Sequence, residues 1–208
     1  MLRLLAARNA GEMNYADLFK ETGVPATTIK RHVALLEALF LVQRVPAWER
    51  NLSKREVSRP KVSLLDTGLA GYLINVGPGA AVPGMNPDLA GNLLEGFVAA
   101  ELKKQLTWSE ERAQLYHFRD HDLGEVDLGL ETPDGRVAGI EVKATSNPSP
   151  KQLKGLKHLR DSLGDRFVGC LLLHTGPQPV SRGDRLASAP LDSLWLWGTE
   201  QAQALGDS

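Results

Sequence analysis

Gly124-Glu125-Val126-Asp127-Leu128-Gly129-Leu130-Glu131-Thr132-Pro133-Asp134-Gly135-Arg136-Val137-Ala138-Gly139-Ile140-Glu141-Val142-Lys143 is the stretch on which the fold turns. Apolar and polar residues alternate on both sides of Thr132-Pro133-Asp134-Gly135, the period of half-buried strands joined by a tight turn. The reading is strands over 124–131 and 136–145. Glu125, Asp127, Gly129 and Glu131 share one face of the first, and Val126, Leu128 and Leu130 the other. In the second, Val137, Gly139, Glu141 and Lys143 oppose Ala138, Ile140, Val142 and Ala144. Pro133-Asp134 suits a type I turn and Gly135 the left-handed residue after it. That three-residue loop sets Leu128 opposite Ile140 and Asp127 opposite Glu141, with Lys143 two residues on. A two-residue Asp134-Gly135 turn would slip the pairing by one and carry Asp127 to the wrong face.

Two carboxylates directly opposite repel each other, and as mere decoration they destabilise a sheet. A divalent cation removes the repulsion. Mg²⁺ takes one or two carboxylates together with waters and phosphate oxygens. A lysine beside it orients the attacking water and balances charge developing on a phosphate. The competing reading is the solvated polar face of an antiparallel sheet.

Downstream, Ser149 is an N-cap, Pro150 the first helical residue and Gln152 the end of a capping box. Leu153, Leu156, Leu159 and Leu163 form the buried stripe of that helix. Its other faces carry Lys151, Lys154, Lys157, His158 and Arg160. These line a phosphate path or are an ordinary exposed face. Phe167 to Leu173 is a near-continuous apolar run, the mark of a doubly covered central strand, with Cys170 as inert core. Leu194-Trp195-Leu196-Trp197 is expected to be a last strand, with a frayed tail after it.

Upstream, 114–119 reads as a strand and Leu89 to about Leu106 as a helix. Gly91, Glu95, Val98, Ala99 and Leu102 share a sector of that helix. Glu95 is therefore either aimed inward or a rim residue in a surface ion pair. His117, Asp120, His121 and Asp122 hold metal-ligand types, but on a strand end a four-residue spacing does not converge on zinc.

The front of the chain has another character. Asn14 caps a helix that ends at Gly23, and Pro25 blocks its continuation. Thr27 or Thr28 is expected to cap the next helix, running to about Phe40, with Ile29, Val33, Leu36 and Phe40 on its apolar face. Lys30, Arg31 and His32 stand near its start. This is a helix-turn-helix layout, whose second helix enters the major groove. Strands at 41–45, with Arg44, and 61–65 flank a polar wing containing Arg50, Lys54 and Arg55. These cations could neutralise phosphates without reading bases. The alternative is a protein-docking module with solvated charges. Asp66 to Ile74 reads as a short helix, and the Gly/Pro-rich segment after it as a linker. The expected domains are 1–75 and 88–200, joined by a linker over 76–87 and followed by a tail over 201–208.

The 208 residues carry a net charge of -1. This hides an uneven distribution: residues 1–65 hold eleven Lys and Arg against six Asp and Glu, so the front is net +5 and the remainder -6. No apolar run reaches the roughly 18 residues of a membrane span, and the start lacks the cleavage site of a secretory signal. One cysteine excludes a disulfide framework, pointing to a reducing cytoplasm. No Gly-x-x-x-x-Gly-Lys-[Ser/Thr] occurs, so the chain has no ATP site of that kind. No Gly-x-Ser-x-Gly supports a serine hydrolase.

Glu95, Asp127 and Glu141-Val142-Lys143, in the order helix, three strands, helix, strand, resemble the PD-(D/E)-x-K, or restriction-endonuclease-like, nuclease superfamily. The resemblance implies that Asp127 and Glu141 bind Mg²⁺ or Mn²⁺, that Lys143 assists the water, and that Glu95 completes the metal site. The whole chain is also similar to the C-terminal half of a family of prokaryotic AAA-type P-loop ATPases, where a winged helix precedes a nuclease-like domain of unknown function. Lys61-Val62-Ser63-Leu64-Leu65-Asp66-Thr67-Gly68-Leu69, Gly91-Asn92-Leu93-Leu94-Glu95 and Ile140-Glu141-Val142-Lys143-Ala144 carry that likeness. The expected architecture is a winged helix-turn-helix followed by an αβββαβ domain, of mixed α+β or α/β class. Two functions follow. One is a Mg²⁺-dependent phosphodiesterase on DNA. The other is a non-catalytic DNA- or protein-binding regulator of a separate P-loop ATPase. Neither requires a membrane.

Overall fold

The computed structural model describes residues 1–49, 58–76, 87–120 and 124–195. The chain divides into two compact units, Met1–Ala100 and Glu101–Ser208. The division falls inside a helix; most of the expected linker lies outside the described residues, as do Arg50, Lys54 and Arg55 of the expected wing.

The first unit runs α1 (Leu2–Ala7), β1 (Gly11–Glu12), α2 (Tyr15–Thr22), α3 (Ala26–Ala38), β2 (Val42–Val45), β3 (Lys61–Leu64), α4 (Thr67–Leu73) and the start of α5 (Pro87–Gln105). The strands form an antiparallel sheet in the order β1-β3-β2; β1 has no counterpart in the sequence reading. The caps are local chemistry. Asn14 Oδ1 accepts from the Ala16 N–H, and Gly23 ends α2 in the left-handed region at φ +67°. Asp66 accepts from the Leu69 N–H at the start of α4. Leu5, Leu18, Ile29, Val33, Val42, Val62 and Leu64 fill the core.

Helix α3 departs from expectation at both ends. It starts directly after Pro25, whose carbonyl already accepts from Thr28 and Ile29, so neither threonine is the cap. It stops at Ala38 in a Schellman motif: Leu41 N–H donates to the Leu36 carbonyl and Phe40 N–H to that of Glu37. That motif needs a left-handed residue, and Phe40 supplies it at φ +55°. The turn swings Phe40 off the buried face and leaves it 80% exposed.

The second unit contains β4 (Gln114–Asp120), β5 (Gly124–Glu131), β6 (Val137–Lys143), α6 (Lys154–Leu163), β7 (Phe167–His174), β8 (Val180–Ser181) and β9 (Leu186–Pro190). One six-stranded mixed sheet runs β4-β5-β6-β7-β9-β8. Strands β4 to β6 are antiparallel, whereas β6, β7 and β9 are parallel. The hairpin has the expected register, with Leu128↔Ile140, Gly129↔Gly139, Leu130↔Ala138 and Glu131↔Val137. Gly135 sits at φ +84° and donates to the Thr132 carbonyl at 2.8 Å. A 3-10 turn over Pro150–Leu153 leads into α6, and Gln152 Oε1 accepts from the Ser149 N–H at 2.7 Å. Leu153, Leu156, Leu159 and Leu163 are all buried. A Cβ on Gly139 would lie 2.7 Å from both Leu159 Cδ2 and Cys170 Sγ, so a larger residue there would force these side chains to shift.

Two points differ from the sequence reading. Strands β8 and β9 were not anticipated, being short and flanked by polar residues. Leu191–Leu194 forms a 3-10 turn where a strand was expected to begin, and Leu196 and Trp197 lie outside the described residues.

A testable consequence concerns Phe40. A non-glycine residue in the left-handed region costs about 1 kcal/mol or more, and this phenyl gains little burial in return. Phe40→Gly is expected to raise the urea-unfolding free energy by about 1 kcal/mol. A decrease would show that the phenyl is held by contacts worth more than the strain.

Candidate active site

The site is built around an irregularity in β5. Between Tyr116↔Gly129 and Phe118↔Val126 the chain advances two residues on β4 but three on β5, a β-bulge at Asp127 and Leu128. Strict alternation therefore breaks there. Val126 turns toward α6, its Cγ2 lying 3.5 Å from where a Cβ on Gly155 would sit. Gly139 faces α6 as well, and regular alternation would have forbidden that pairing of faces. Bulges re-aim side chains, and this one re-aims Asp127.

The β5–β6 ladder stops at Leu128↔Ile140. Beyond it, Asp127 is not simply opposite Glu141. Its Oδ2 accepts from the Val142 backbone N–H at 2.8 Å, a side-chain contact from β5 to β6 beyond the end of their ladder. Lys143 Nζ lies 2.6 Å from Glu141 Oε1 and 3.8 Å from Asp127 Oδ2. The three predicted residues thus converge, both carboxylates reaching one ammonium. Asp127 is 8% exposed and Glu141 7%, so this is not a solvated polar face. Among the described residues, Glu141 Oε2 is buried with no hydrogen-bond partner.

Burial pushes the Glu141 carboxyl up to about 7, and the negative charge of Asp127 adds to it; Lys143 pulls the other way without cancelling them. Asp127 and Glu141 fit a hard cation that keeps several waters. Among the described residues, no third His, Cys, Asp or Glu joins them in a three-ligand cluster.

Glu95 has a different setting. In the first unit its Oε1 accepts from Lys61 Nζ at 2.7 Å, with side chains 12% and 6% exposed. It is inward-facing, as one of the two readings had it, but its partner there is a buried lysine of β3. Asn9 bridges the same region, donating to the Asn92 carbonyl and accepting from the Leu64 N–H, each at 2.9 Å. A Cβ on Gly96 would lie 2.3 Å from Asn9 Nδ2.

The residues proposed for nucleic acid are scattered. Lys30 and Arg31 are exposed on α3, Lys30 standing 5.2 Å from the Tyr15 ring centre. Arg44 Nε donates to Glu37 at 2.7 Å, so its charge is answered within the unit and its pKa raised. Lys151 and Lys154 are exposed at the start of α6. The position of Gly155, whose Cβ would lie 2.5 Å from the Glu125 carbonyl, brings that helix start close to the β5 segment preceding Asp127. His174 escaped the sequence reading. It is paired with Lys143 across the parallel β6–β7 ladder and is 2% exposed. Only the strand register could have revealed it.

Residues 90–194 match the family described as "Domain of unknown function (DUF4143)", and the chain belongs to that family. Residues 1–80 match a second description, "Domain of unknown function (DUF8612)". The chain is 30% identical over 185 residues to "Uncharacterized protein Rv2008c" of Mycobacterium tuberculosis and to "Uncharacterized protein Mb2031c" of Mycobacterium bovis. The alignment covers 88% of this chain but 39% of each relative, so the chain spans well under half the length of these curated relatives. No solved structure matches the chain. Among the described residues, no helix is long and apolar enough to cross a membrane.

Two predictions follow from these charges. Glu141 binds its proton more tightly in the folded state, since its carboxyl rises from 4.5 to about 7. Its contribution is therefore full below about pH 4.5 and is lost as pH rises toward 7, by on the order of 3 kcal/mol. Urea unfolding in EDTA should show stability falling across that window in the wild type and a flatter profile in Glu141→Gln; parallel profiles would refute it. For the buried pair, Glu95→Ala should cost about 3–5 kcal/mol by stranding Lys61. The double variant Lys61→Met/Glu95→Leu should recover most of that loss. A double variant no more stable than Glu95→Ala would contradict the pairing.

Proposed function

We propose that the chain is a divalent-cation-dependent phosphodiesterase acting on DNA, with a nuclease-like second unit and a winged-helix anchor. The observation that carries this reading is the Asp127–Glu141–Lys143 group, in which a buried Glu141 oxygen has no partner. Asp127 and Glu141 would hold Mg²⁺ or Mn²⁺. When bound, such an ion supplies a water of lowered pKa and a Lewis acid at the phosphoryl oxygen. The Val142 N–H fixes the Asp127 carboxylate, so that little reorganisation is needed when the group is used. Lys143, half in solvent, would orient the attacking water and steady charge on a non-bridging oxygen.

The element order α5-β4-β5-β6-α6-β7 supports the restriction-endonuclease-like reading, and α1-β1-α2-α3-β2-β3 supports the winged helix. In this reading Lys30 and Arg31 contact the duplex, and Lys151 and Lys154 guide phosphates toward the carboxylates. The buried thiol of Cys170, whose pKa is pushed up to about 12 by burial, suits a reducing cytoplasm.

A second reading rests on length. The curated relatives extend well beyond the matched part, which leaves room for a non-catalytic binding module working with an AAA-type ATPase. The test is cleavage of plasmid and labelled oligonucleotides with Mg²⁺ or Mn²⁺. Lys143→Ala should lower the rate at least about 100-fold, the scale of losing one transition-state donor. Equal cleavage by wild type and variant would sink the enzyme reading. Binding without cleavage by the wild type would favour the module.

A further inference from the structure

Arg182 immediately follows β8 and is half-buried. Its Nε donates to Ser188 Oγ at 3.0 Å and its Nη2 to the Pro148 carbonyl at 3.5 Å. Both acceptors are neutral. Nearby arginines of the same unit are answered by carboxylates: Arg160 by Asp161 and Asp184, Arg166 by Glu131, Arg185 by Asp184. Arg182 has no carboxylate partner among the described residues. Two of its five N–H donors are used, and the rest of the fork has no protein acceptor there.

The strand register says where this cation stands. Glu141 pairs with Leu172 and Leu172 with Ser188, so the three form one row across β6, β7 and β9 on one face. Arg182 is tied to the end of that row. The next row is Lys143, His174 and Pro190, at the carboxyl ends of the three parallel strands, where open α/β sheets bind ligands. Two strand spacings separate Glu141 from Ser188, about 10 Å. His174 lies between the two cations without adding a charge. Its Nδ1 accepts from the Gly176 N–H at 3.0 Å, and burial and the charge of Arg182 hold its pKa down.

The backbone at Arg182 is fixed at a cost. Gly183, Asp184 and Arg185 are all left-handed, at φ +78°, +40° and +61°. The turn is locked by Arg182 N–H to the Leu186 carbonyl and by Arg185 Nη1 to the Phe167 carbonyl. Strain of this kind persists where surrounding contacts over-determine it, commonly near functional sites.

We propose that Arg182 is a second phosphate-binding subsite, which holds a backbone phosphate of a nucleic-acid strand close along the strand to the one at Asp127 and Glu141. The position along the strand rests on the nuclease reading, whereas the anion site itself does not. The planar fork of arginine suits a bidentate phosphate contact.

The test is fluorescence anisotropy of the full chain with labelled 12-nucleotide single-stranded and duplex probes in EDTA, across a salt series. It is run in the wild-type background and in Lys30→Ala/Arg31→Ala, which removes contacts from α3. Arg182→Gln should weaken binding about fivefold to tenfold and lower the slope of log affinity against log salt by about 0.7–0.9. Arg182→Lys should keep the slope and recover part of the affinity, and it covers the case in which the glutamine variant misfolds. Ser188→Ala should give a smaller loss. Wild-type affinity and slope in Arg182→Gln, or no probe binding by the wild type, would overturn the proposal. Arg182-dependent binding without cleavage would leave the subsite standing and the nuclease reading fallen. Cleavage that needs Lys143 but ignores Arg182 would do the reverse.

Discussion

The carboxylate of Asp127 accepting the Val142 N–H is the contact on which the carboxylate cluster of the second unit depends. A buried backbone donor must find an acceptor, and an antiparallel ladder normally provides a carbonyl from the neighbouring strand. Here β5 bulges and its ladder with β6 ends one residue short of Asp127. The side chain takes over as acceptor. It satisfies Val142, ties two diverging strands together and brings a negative charge beside Glu141. Removing the bulge would restore alternation and with it the expected direct opposition of the two acids. The parallel pairing of β6 with β7 continues past this point, so β6 stays straight while β5 leaves it.

Much of this was legible in the residues. Gly135 after Pro133-Asp134 specified the three-residue turn, and the turn specified the register. The Ser149 and Gln152 cap and the leucines at 153, 156, 159 and 163 specified a helix with one buried stripe. The convergence of Asp127, Glu141 and Lys143 followed from that register. The bulge did not, because an extra residue on one strand leaves no mark on a hydrophobic pattern that is apolar at Val126 and Leu128 either way. The rows linking Glu141 to Ser188 and Lys143 to His174 were invisible for another reason. Parallel pairing joins segments some 30 residues apart through a helix, and no local pattern sets that offset.

In the first unit the legible features are also the local ones. Asn14, Gly23 and Asp66 each act within three or four residues of themselves. Periodicity placed Phe40 on the buried face of α3, but a Schellman turn outweighed it once the helix had to reverse into β2. Lys61 read as one more surface cation of a basic front half. It lies instead in a buried pair with Glu95, as part of a polar seam with Asn9, Gln43 and Ser63 along β2, β3 and α5. The charge count of the front half therefore overstates what it can offer a polyanion, since Lys61 and Arg44 are already answered.

The two buried glutamates stand in two different charge balances. Glu95 faces one ammonium at 2.7 Å, and its charge is answered inside the fold. Glu141 also has an ammonium, at 2.6 Å, but shares it with Asp127 and stands deep enough that its proton is held to about pH 7. Among the described residues, two carboxylates against one lysine leave the cluster one positive charge short. A fold selected for stability alone would have replaced one acid by an apolar or amide side chain, since burying unbalanced charge costs several kcal/mol. A proton on Glu141, held to about pH 7, meets that deficit within the fold. That shared ammonium, more than the identity of the three residues, sets the cluster apart from the Lys61–Glu95 pair.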